Sequence, residues 1–124
     1  RCAMNAHAKI SELPQQERPI SEEYRIVAKR WVDADAAARL REEMKTTTLE
    51  QLKQELVKED PKLPDSHAER MVKAGADWAE YIRQMVDART DANRLKAQLE
   101  YVRMKFSEHQ DFNASARAEM RLSR

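Results

Sequence analysis

The feature that most constrains this chain is an apolar pattern that repeats every seven residues from Asp77 to about Arg121. Its positions alternate three and four residues apart over about six heptads. All but two of them are apolar: Trp78, Tyr81, Met85, Ala88, Ala92, Leu95, Leu99, Val102, Phe106, His109, Asn113, Ala116 and Met120. A period of 3.5 residues is typical of a long α-helix that packs one face against another helix. The sequence therefore predicts a long C-terminal helix as the central element.

The composition agrees with a chain built from long helices. Of the 124 residues, 36% are charged, 6% are aromatic and a single one is glycine, which is typical of long helices and coiled coils. The 23 basic and 22 acidic residues nearly cancel, so net charge gives no strong attraction to nucleic acid or to membranes. Because a chain of this length and composition buries a small core, we expect one domain that oligomerises.

Helices are predicted over residues 21–59, 66–74 and 77–121. Residues 1–20 lack sustained periodicity and are expected to form an extended arm, with a frayed tail as the alternative. Ser21, Ser66 and Asp77 are predicted N-caps. Capping-box patterns at residues 47–51 leave a new helix start open there, but we favour a continuous first helix because no glycine or proline interrupts it.

Two prolines and one glycine define the connector between the long helices. Pro61 and Pro64 forbid helix continuation, and Gly75 is expected to end the short helix in the left-handed conformation. Two long helices joined by a compact connector normally lie antiparallel. The predicted fold is therefore an all-α antiparallel hairpin of long helices. Its expected register pairs Leu52 with Trp78, Ala38 with Ala92, Trp31 with Leu99, and Tyr24 with Phe106.

Some apolar residues lie off the main stripes of both long helices. They are expected to form an exposed strip along one side of the hairpin, and exposed strips of this kind usually mark interfaces. We therefore predict a homodimer or higher homo-oligomer, with pairs of hairpins forming a bundle. The predicted interface residues are Val32, Leu40, Met44, Ile82, Val86 and Met104.

No catalytic, metal or cofactor motif occurs in the sequence, and we expect a protein that is not an enzyme. The three histidines are far apart, Cys2 is the one cysteine, and no spacing of metal ligands is present. His109 in the seam is interpreted as a polar residue that sets register. The carboxylates of Asp87 and Asp91 are expected to form surface ion pairs with arginines such as Arg83.

The C-terminal part of the chain is the most basic. Phosphate contact would use its cations, whereas the simpler interpretation is a solvated helix end whose cations suit the helix dipole. Acidic residues interleave with them, which favours the simpler interpretation. The candidate nucleic-acid contacts are Arg103, Lys105, Arg117, Arg121 and Arg124.

Several segments resemble a family of small uncharacterised α-helical proteins from bacteriophages and prophages. These are residues 21–31 (SEEYRIVAKRW), 78–81 (WAEY), 86–93 (VDARTDAN), 104–106 (MKF) and 117–122 (RAEMRL). The resemblance covers the chain from about residue 20 onward. It implies an accessory role near DNA, because such genes accompany phage recombination and replication genes. It transfers no residue roles, since the family has no established activity.

Two functions are expected from these observations. The first is a non-enzymatic phage accessory protein that acts through helix-mediated self-association and binding of a protein partner. The second is a nucleic-acid-binding accessory factor. No apolar run is long enough to span a bilayer and no signal-peptide pattern is visible, so no membrane association and a cytoplasmic location are expected.

Overall fold

The computed structural model describes residues 19–123, of which 91% are helical. Within that range the helices are α1 (Ile20–Glu43), α2 (Lys45–Glu59), α3 (Asp65–Ala74) and α4 (Ala76–Leu122), without any strand. Helix α1 packs against α4, so the predicted all-α hairpin is confirmed. The predicted arm lies outside the described residues, apart from its last two positions.

Helix α1 begins one residue before its predicted start because a backbone carbonyl accepts the first hydrogen bonds. The amides of Glu22 and Glu23 donate to the carbonyl of Pro19 at 3.1 and 3.0 Å. Ser21 therefore lies inside the first turn, and its prediction as the N-cap is wrong. The two glutamates suit the positive end of the helix dipole, as expected.

The starts of α3 and α4 follow the same rule. The carbonyl of Pro64 accepts a hydrogen bond from the Ala68 amide at 3.0 Å, and no side chain caps α3. Ser66 and Asp77 lie inside the first turns of α3 and α4, so both predicted caps are wrong. Proline suits the position before a helix because its φ is already fixed near the helical value.

Helix α1 gives way to α2 at a single residue, Met44, so the predicted first helix is divided. Met44 stays in the right-handed region at φ −82° and ψ −1°. The Tyr81 hydroxyl donates a hydrogen bond to the carbonyl of Arg41, the oxygen that the Lys45 amide would occupy in an unbroken helix. A side chain that enters the series of backbone hydrogen bonds is a common cause of helix interruption. The favoured unbroken first helix is therefore wrong, and the new helix begins at Lys45, just before residues 46–48.

The connector between α2 and α3 contains the turn that the prolines predict. The amide of Lys62 donates to the side-chain carboxylate of Asp60 at 3.3 Å, and the amide of Leu63 donates to the Asp60 carbonyl at 3.1 Å. An aspartate that accepts from the backbone two residues on is a standard turn element. Asp60 thus closes the turn between the two prolines.

Gly75 ends α3 in an extended conformation and not in the predicted left-handed one. Its φ is −85° and its ψ is 162°, and its amide donates to the Val72 carbonyl at 2.9 Å. The reason for a small residue is local space. A Cβ at this position would lie 3.3 Å from the Val72 carbonyl oxygen and 3.5 Å from that of Met71.

The described residues group into two compact units. The central unit comprises residues 33–93, which include the end of α1, all of α2 and α3, and the start of α4. Its α1 and α4 segments run antiparallel, because Arg41 donates to the Gln84 side chain at 2.9 Å while Arg89 donates to Asp35 at 2.7 Å. Its buried apolar residues are Ala38, Ala68, Val72, Trp78 and Ala92.

The terminal unit comprises residues 19–32 together with 94–123. Val27 of α1 is fully buried, and Val102 of α4 is 6% exposed. Tyr24 and Phe106 line the same small pocket, as the predicted register requires.

Burial along α4 follows the predicted seam. Every seam position from Trp78 to Phe106 is buried or half-buried. Beyond Phe106 the seam residues His109, Asn113 and Met120 are exposed. The packed part of the seam therefore ends near Phe106, although Ala116 beyond it is half-buried.

Candidate functional site

Arg89 joins α4 to α1 in the central unit through three hydrogen bonds. Its guanidinium donates to Glu42 at 2.9 and 2.7 Å and to Asp35 at 2.7 Å. Asp35 also pairs with Arg39 at 3.0 Å. Planar arginine is suited to such two-pronged contacts with carboxylates. The cluster therefore fixes the register of the two helices.

The charged groups of this cluster shift one another's pKa values. The hydrogen bond from Arg89 is the main reason that the pKa of Glu42 lies below its ordinary value. The hydrogen bonds that Arg89 donates to Glu42 and then to Asp35 raise the pKa of Arg89. Two arginines, Arg89 and Arg39, face the two carboxylates of Glu42 and Asp35, so the charges within the cluster balance.

Arg89 belongs to a row of positions on α4 that are seven residues apart. Each of these positions directly follows a seam residue. The row consists of Arg89, Lys96, Arg103, Gln110 and Arg117. Positions beside the seam usually carry charges that select the partner helix. The row was missed in the sequence analysis, although the heptad numbering contains it.

Arg103 and Arg117 differ from Arg89 in having no carboxylate partner within residues 19–123. Both side chains are exposed. Arg103 lines a small pocket together with Ser21, Tyr24 and Phe106. The α1 residue near Arg103 is thus a serine, whereas the α1 residues that contact Arg89 are acidic. The positive charge of the row is therefore uncompensated in the terminal unit.

The remaining predicted nucleic-acid contacts are less uniform. Arg121 is exposed and lies one turn beyond Arg117 on the same side of α4, at helical spacing. Lys105 lies two residues from Arg103, on the opposite side of the helix, with its ammonium 5.4 Å from the centre of the Tyr101 ring. Arg124 lies outside the described residues. The structure thus brings Arg103, Arg117 and Arg121 to one side of α4 and separates Lys105 from them.

Three of the four predicted interface residues of the central unit are exposed, but the four do not form one strip. Leu40 is 61% exposed and Val86 is 53% exposed. Leu40 lies about 160° around α1 from the fully buried Ala38, so it points away from α4. Val86 lies on α4, one turn from the half-buried Ile82. The expected single strip is therefore two separate apolar surfaces, one of which also includes Met44.

The terminal unit exposes further large apolar side chains. Val32 is 55% exposed and Met104 is 61% exposed, as predicted. Phe112 at 71% and Met120 at 66% are also open to solvent on the end of α4. Phe112 was missed because it does not belong to the heptad seam.

A cleft between α2, α3 and the start of α4 is a second candidate site, within the central unit. Its volume is about 290 Å³. Its apolar wall includes Leu56, Val72 and Trp78, and its charged lining residues are the acids Glu55, Glu59 and Asp77. Among residues 19–123, no lysine or arginine lines it. The sequence does not predict this cleft, because the cleft depends on how three helices meet.

Lys53 fixes the two helices that shape this cleft. Its side chain is 8% exposed, and its ammonium lies 2.8 Å from Asp65 of α3 and 3.2 Å from Glu50 of α2. The hydrogen bond to Asp65 is the main cause that raises the pKa of Lys53. A buried stem with a paired head is a common way to bury lysine.

Within the described part of the chain, the structure assigns no chemical role to His109 and Asn113, the polar residues of the seam. His109 is exposed, and a ring nitrogen lies 3.3 Å from the side-chain nitrogen of Asn113 one turn later. Within residues 19–123 no group of three or more acidic, histidine or cysteine side chains is arranged to hold a metal ion. No helix described here has the length and apolar character needed to cross a membrane.

Comparison with family models, with curated proteins and with solved structures finds no match to this chain.

Proposed function

We propose that this chain is a non-enzymatic interaction protein that acts through helix-mediated self-association and binding of a protein partner. The observation that supports it is the large number of large apolar side chains left exposed on regular helices, among them Leu40, Val86, Met104, Phe112 and Met120. The phage accessory role and the cytoplasmic location expected from the sequence belong to this proposal.

The exposed residues support association because they recur at helical spacing. Leu40 and Met44 are four residues apart, as are Ile82 and Val86, so each pair lies on one face. A helix that packs against another helix needs such a row. Covering a large apolar side chain with a partner is worth about 1.5–3 kcal/mol. Because association also costs translational and rotational freedom, a stable complex needs several such contacts together.

The proposal is tested by substituting one residue of each apolar pair with a charged residue. We expect Leu40→Glu and Val86→Glu each to weaken self-association by at least about tenfold, about 1.4 kcal/mol. Gln54→Glu on the exposed side of α2 adds the same charge without removing an apolar side chain and is the control. Sedimentation equilibrium gives the masses, and circular dichroism verifies that each variant is helical. A wild type that stays monomeric would contradict the self-association part.

A second candidate function is contact with single-stranded nucleic acid, supported by the uncompensated charge of Arg103, Arg117 and Arg121. These cations lie on one side of α4 in the terminal unit. Cations without carboxylate partners are available to phosphates, and each contact releases counterions. The acids Glu100 and Glu119 nearby reduce the local charge, which is why this function ranks second.

An electrophoretic shift assay over a salt series tests this second function. We expect a shift of single-stranded DNA at low salt that Arg103→Ala combined with Arg117→Ala abolishes. Lys29→Ala combined with Arg30→Ala removes the same charge from the exposed side of α1 and is the control. If the wild type gives no shift at low salt, this second function is excluded.

A further inference from the structure

The cleft of the central unit combines an apolar wall with acidic lining residues. It therefore suits an apolar side chain that has basic residues beside it. Trp78 is 8% exposed and Val72 is 7% exposed, so the wall is packed and preformed. Glu55 and Glu59 lie four residues apart on α2 and line the cleft with Asp77. At about 290 Å³ it lies near the lower limit for ligand pockets, which suits one or two side chains.

The C-terminal end of α4 has the complementary chemistry. Met120 is 66% exposed, and Arg117 lies three residues before it and Arg121 one residue after it. At helical spacing the three side chains lie on one face. Neither arginine has a carboxylate partner within residues 19–123. Methionine is flexible and polarisable, and it makes favourable contacts with aromatic rings such as that of Trp78.

We propose that the cleft of one copy of this chain binds the C-terminal end of α4 of a second copy. Met120 enters the apolar wall beside Trp78, while Arg117 and Arg121 lie against Glu55, Glu59 and Asp77. This inference rests on the proposed self-association and adds a contact site to the exposed apolar faces. It accounts for two features together: a cleft lined by acids without cations, and a basic helix end with an uncovered methionine.

The contact gives two modes of assembly. If two copies exchange their helix ends, a closed dimer results, whereas insertion in one direction continues into a longer assembly. In both modes every copy contributes one cleft and one helix end. Charge reversal on either part must therefore weaken assembly, and the two reversed proteins must complement each other.

The test uses two full-length charge-reversal variants. The end variant carries Arg117→Glu and Arg121→Glu, and the cleft variant carries Glu55→Lys and Glu59→Lys. Their controls reverse equal charge at other exposed sites: Lys29→Glu with Arg30→Glu for the first, and Asp33→Lys with Glu43→Lys for the second. Sedimentation equilibrium is measured for each protein alone and for an equal mixture of the end and cleft variants.

We expect each variant alone to associate at least about tenfold more weakly than its control, about 1.4 kcal/mol. In the mixture the acidic end meets the basic cleft and the basic end meets the acidic cleft, so association recovers. If the wild type associates but the variants match their controls, or the mixture does not recover, the cleft contact is wrong and self-association stands. A monomeric wild type overturns both.

A local readout separates this contact from other modes of association, including occupation of the cleft by another segment of the chain. In a Trp31→Phe background the remaining tryptophan is Trp78. We expect its emission to change with protein concentration over the range in which mass increases, and Met120→Ala to remove that change. Emission that follows association equally in Met120→Ala would show that Met120 does not enter the cleft.

Discussion

Arg89 shows how a single side chain fixes two helices in the central unit. It is 31% exposed and binds Glu42 and Asp35 of α1 at once, and Asp35 is 17% exposed. Removing one member of a partly buried charge cluster leaves the others without compensation, which is costlier than losing a surface pair. The residue therefore matters more for stability than its solvent exposure indicates.

We predict that Arg89→Ala lowers the thermal midpoint more than Arg83→Ala does. Arg83 also binds two carboxylates, Glu80 and Asp87, but it is 61% exposed and both partners lie on its own helix. Exposed pairs of this kind contribute little. The midpoints are compared by circular dichroism at low salt. Equal losses would contradict the structural role of Arg89.

Glu80 gives a prediction about pH. Hydrogen bonds from Arg83 and then Gln84 lower the pKa of Glu80 from 4.5 to about 2. Because the folded state has the lower pKa, this stabilisation is complete above pH 4.5 and is lost as the pH falls towards 2. We expect Glu80→Gln to make the thermal midpoint less dependent on pH in that interval. Salt should weaken the effect in the wild type, since Glu80 is 50% exposed. An unchanged pH profile in the variant would contradict it.

The sequence predicted local ion pairs better than those between helices. Helical spacing correctly placed Asp87 with Arg83, which are 3.0 Å apart. It did not identify Arg89, because its partners lie 47 and 54 positions earlier in the chain. Long-range pairs depend on a register that a single sequence fixes to within a turn at best.

At the level of elements, Tyr81 connects two observations, the seam of α4 and the interruption between α1 and α2. Its ring stacks with that of Trp78 at a centroid distance of 5.8 Å, and its hydroxyl satisfies the carbonyl of Arg41. The heptad pattern predicted the ring's burial. It could not predict the hydrogen bond, because that contact lies across the helix pair.

We predict that Tyr81→Phe reduces the free energy of unfolding by about 0.5–1.5 kcal/mol, the net value of one hydrogen bond. Tyr101→Phe is the matched control, since Tyr101 is 60% exposed and its ring keeps its place beside Lys105. The control should change stability by less than about 0.5 kcal/mol. Urea denaturation measures both. A loss no larger than the control's would show that the Tyr81 hydroxyl contributes nothing.

Apart from the division at Met44, the ends of the helices were predicted to within one residue, but for the wrong reason. Ser21 and Ser66 fit the sequence pattern of an N-cap, yet Pro19 and Pro64 precede each helix and supply carbonyls to its first amides. Gly75 was expected to be left-handed and is extended. Side-chain preferences thus located the turns, whereas backbone hydrogen bonding set their geometry.

For the whole molecule, the sequence predicted the helical class and the buried seam because both follow from periodicity. The acid-lined cleft could not be predicted, since Glu55 and Asp77 meet there through the packing of three helices. The six predicted interface residues are largely exposed, but Leu40 and Val86 belong to different surfaces. Periodicity identifies which apolar residues lie outside the seam. How the helices pack determines which of these residues lie close together.

The claim that unites these observations is that the chain associates with copies of itself. Sedimentation equilibrium of the wild-type protein over a wide range of concentrations tests it most directly. We predict an average mass that rises with concentration to a multiple of the 14.5 kDa chain. A mass of 14.5 kDa at every concentration would contradict it.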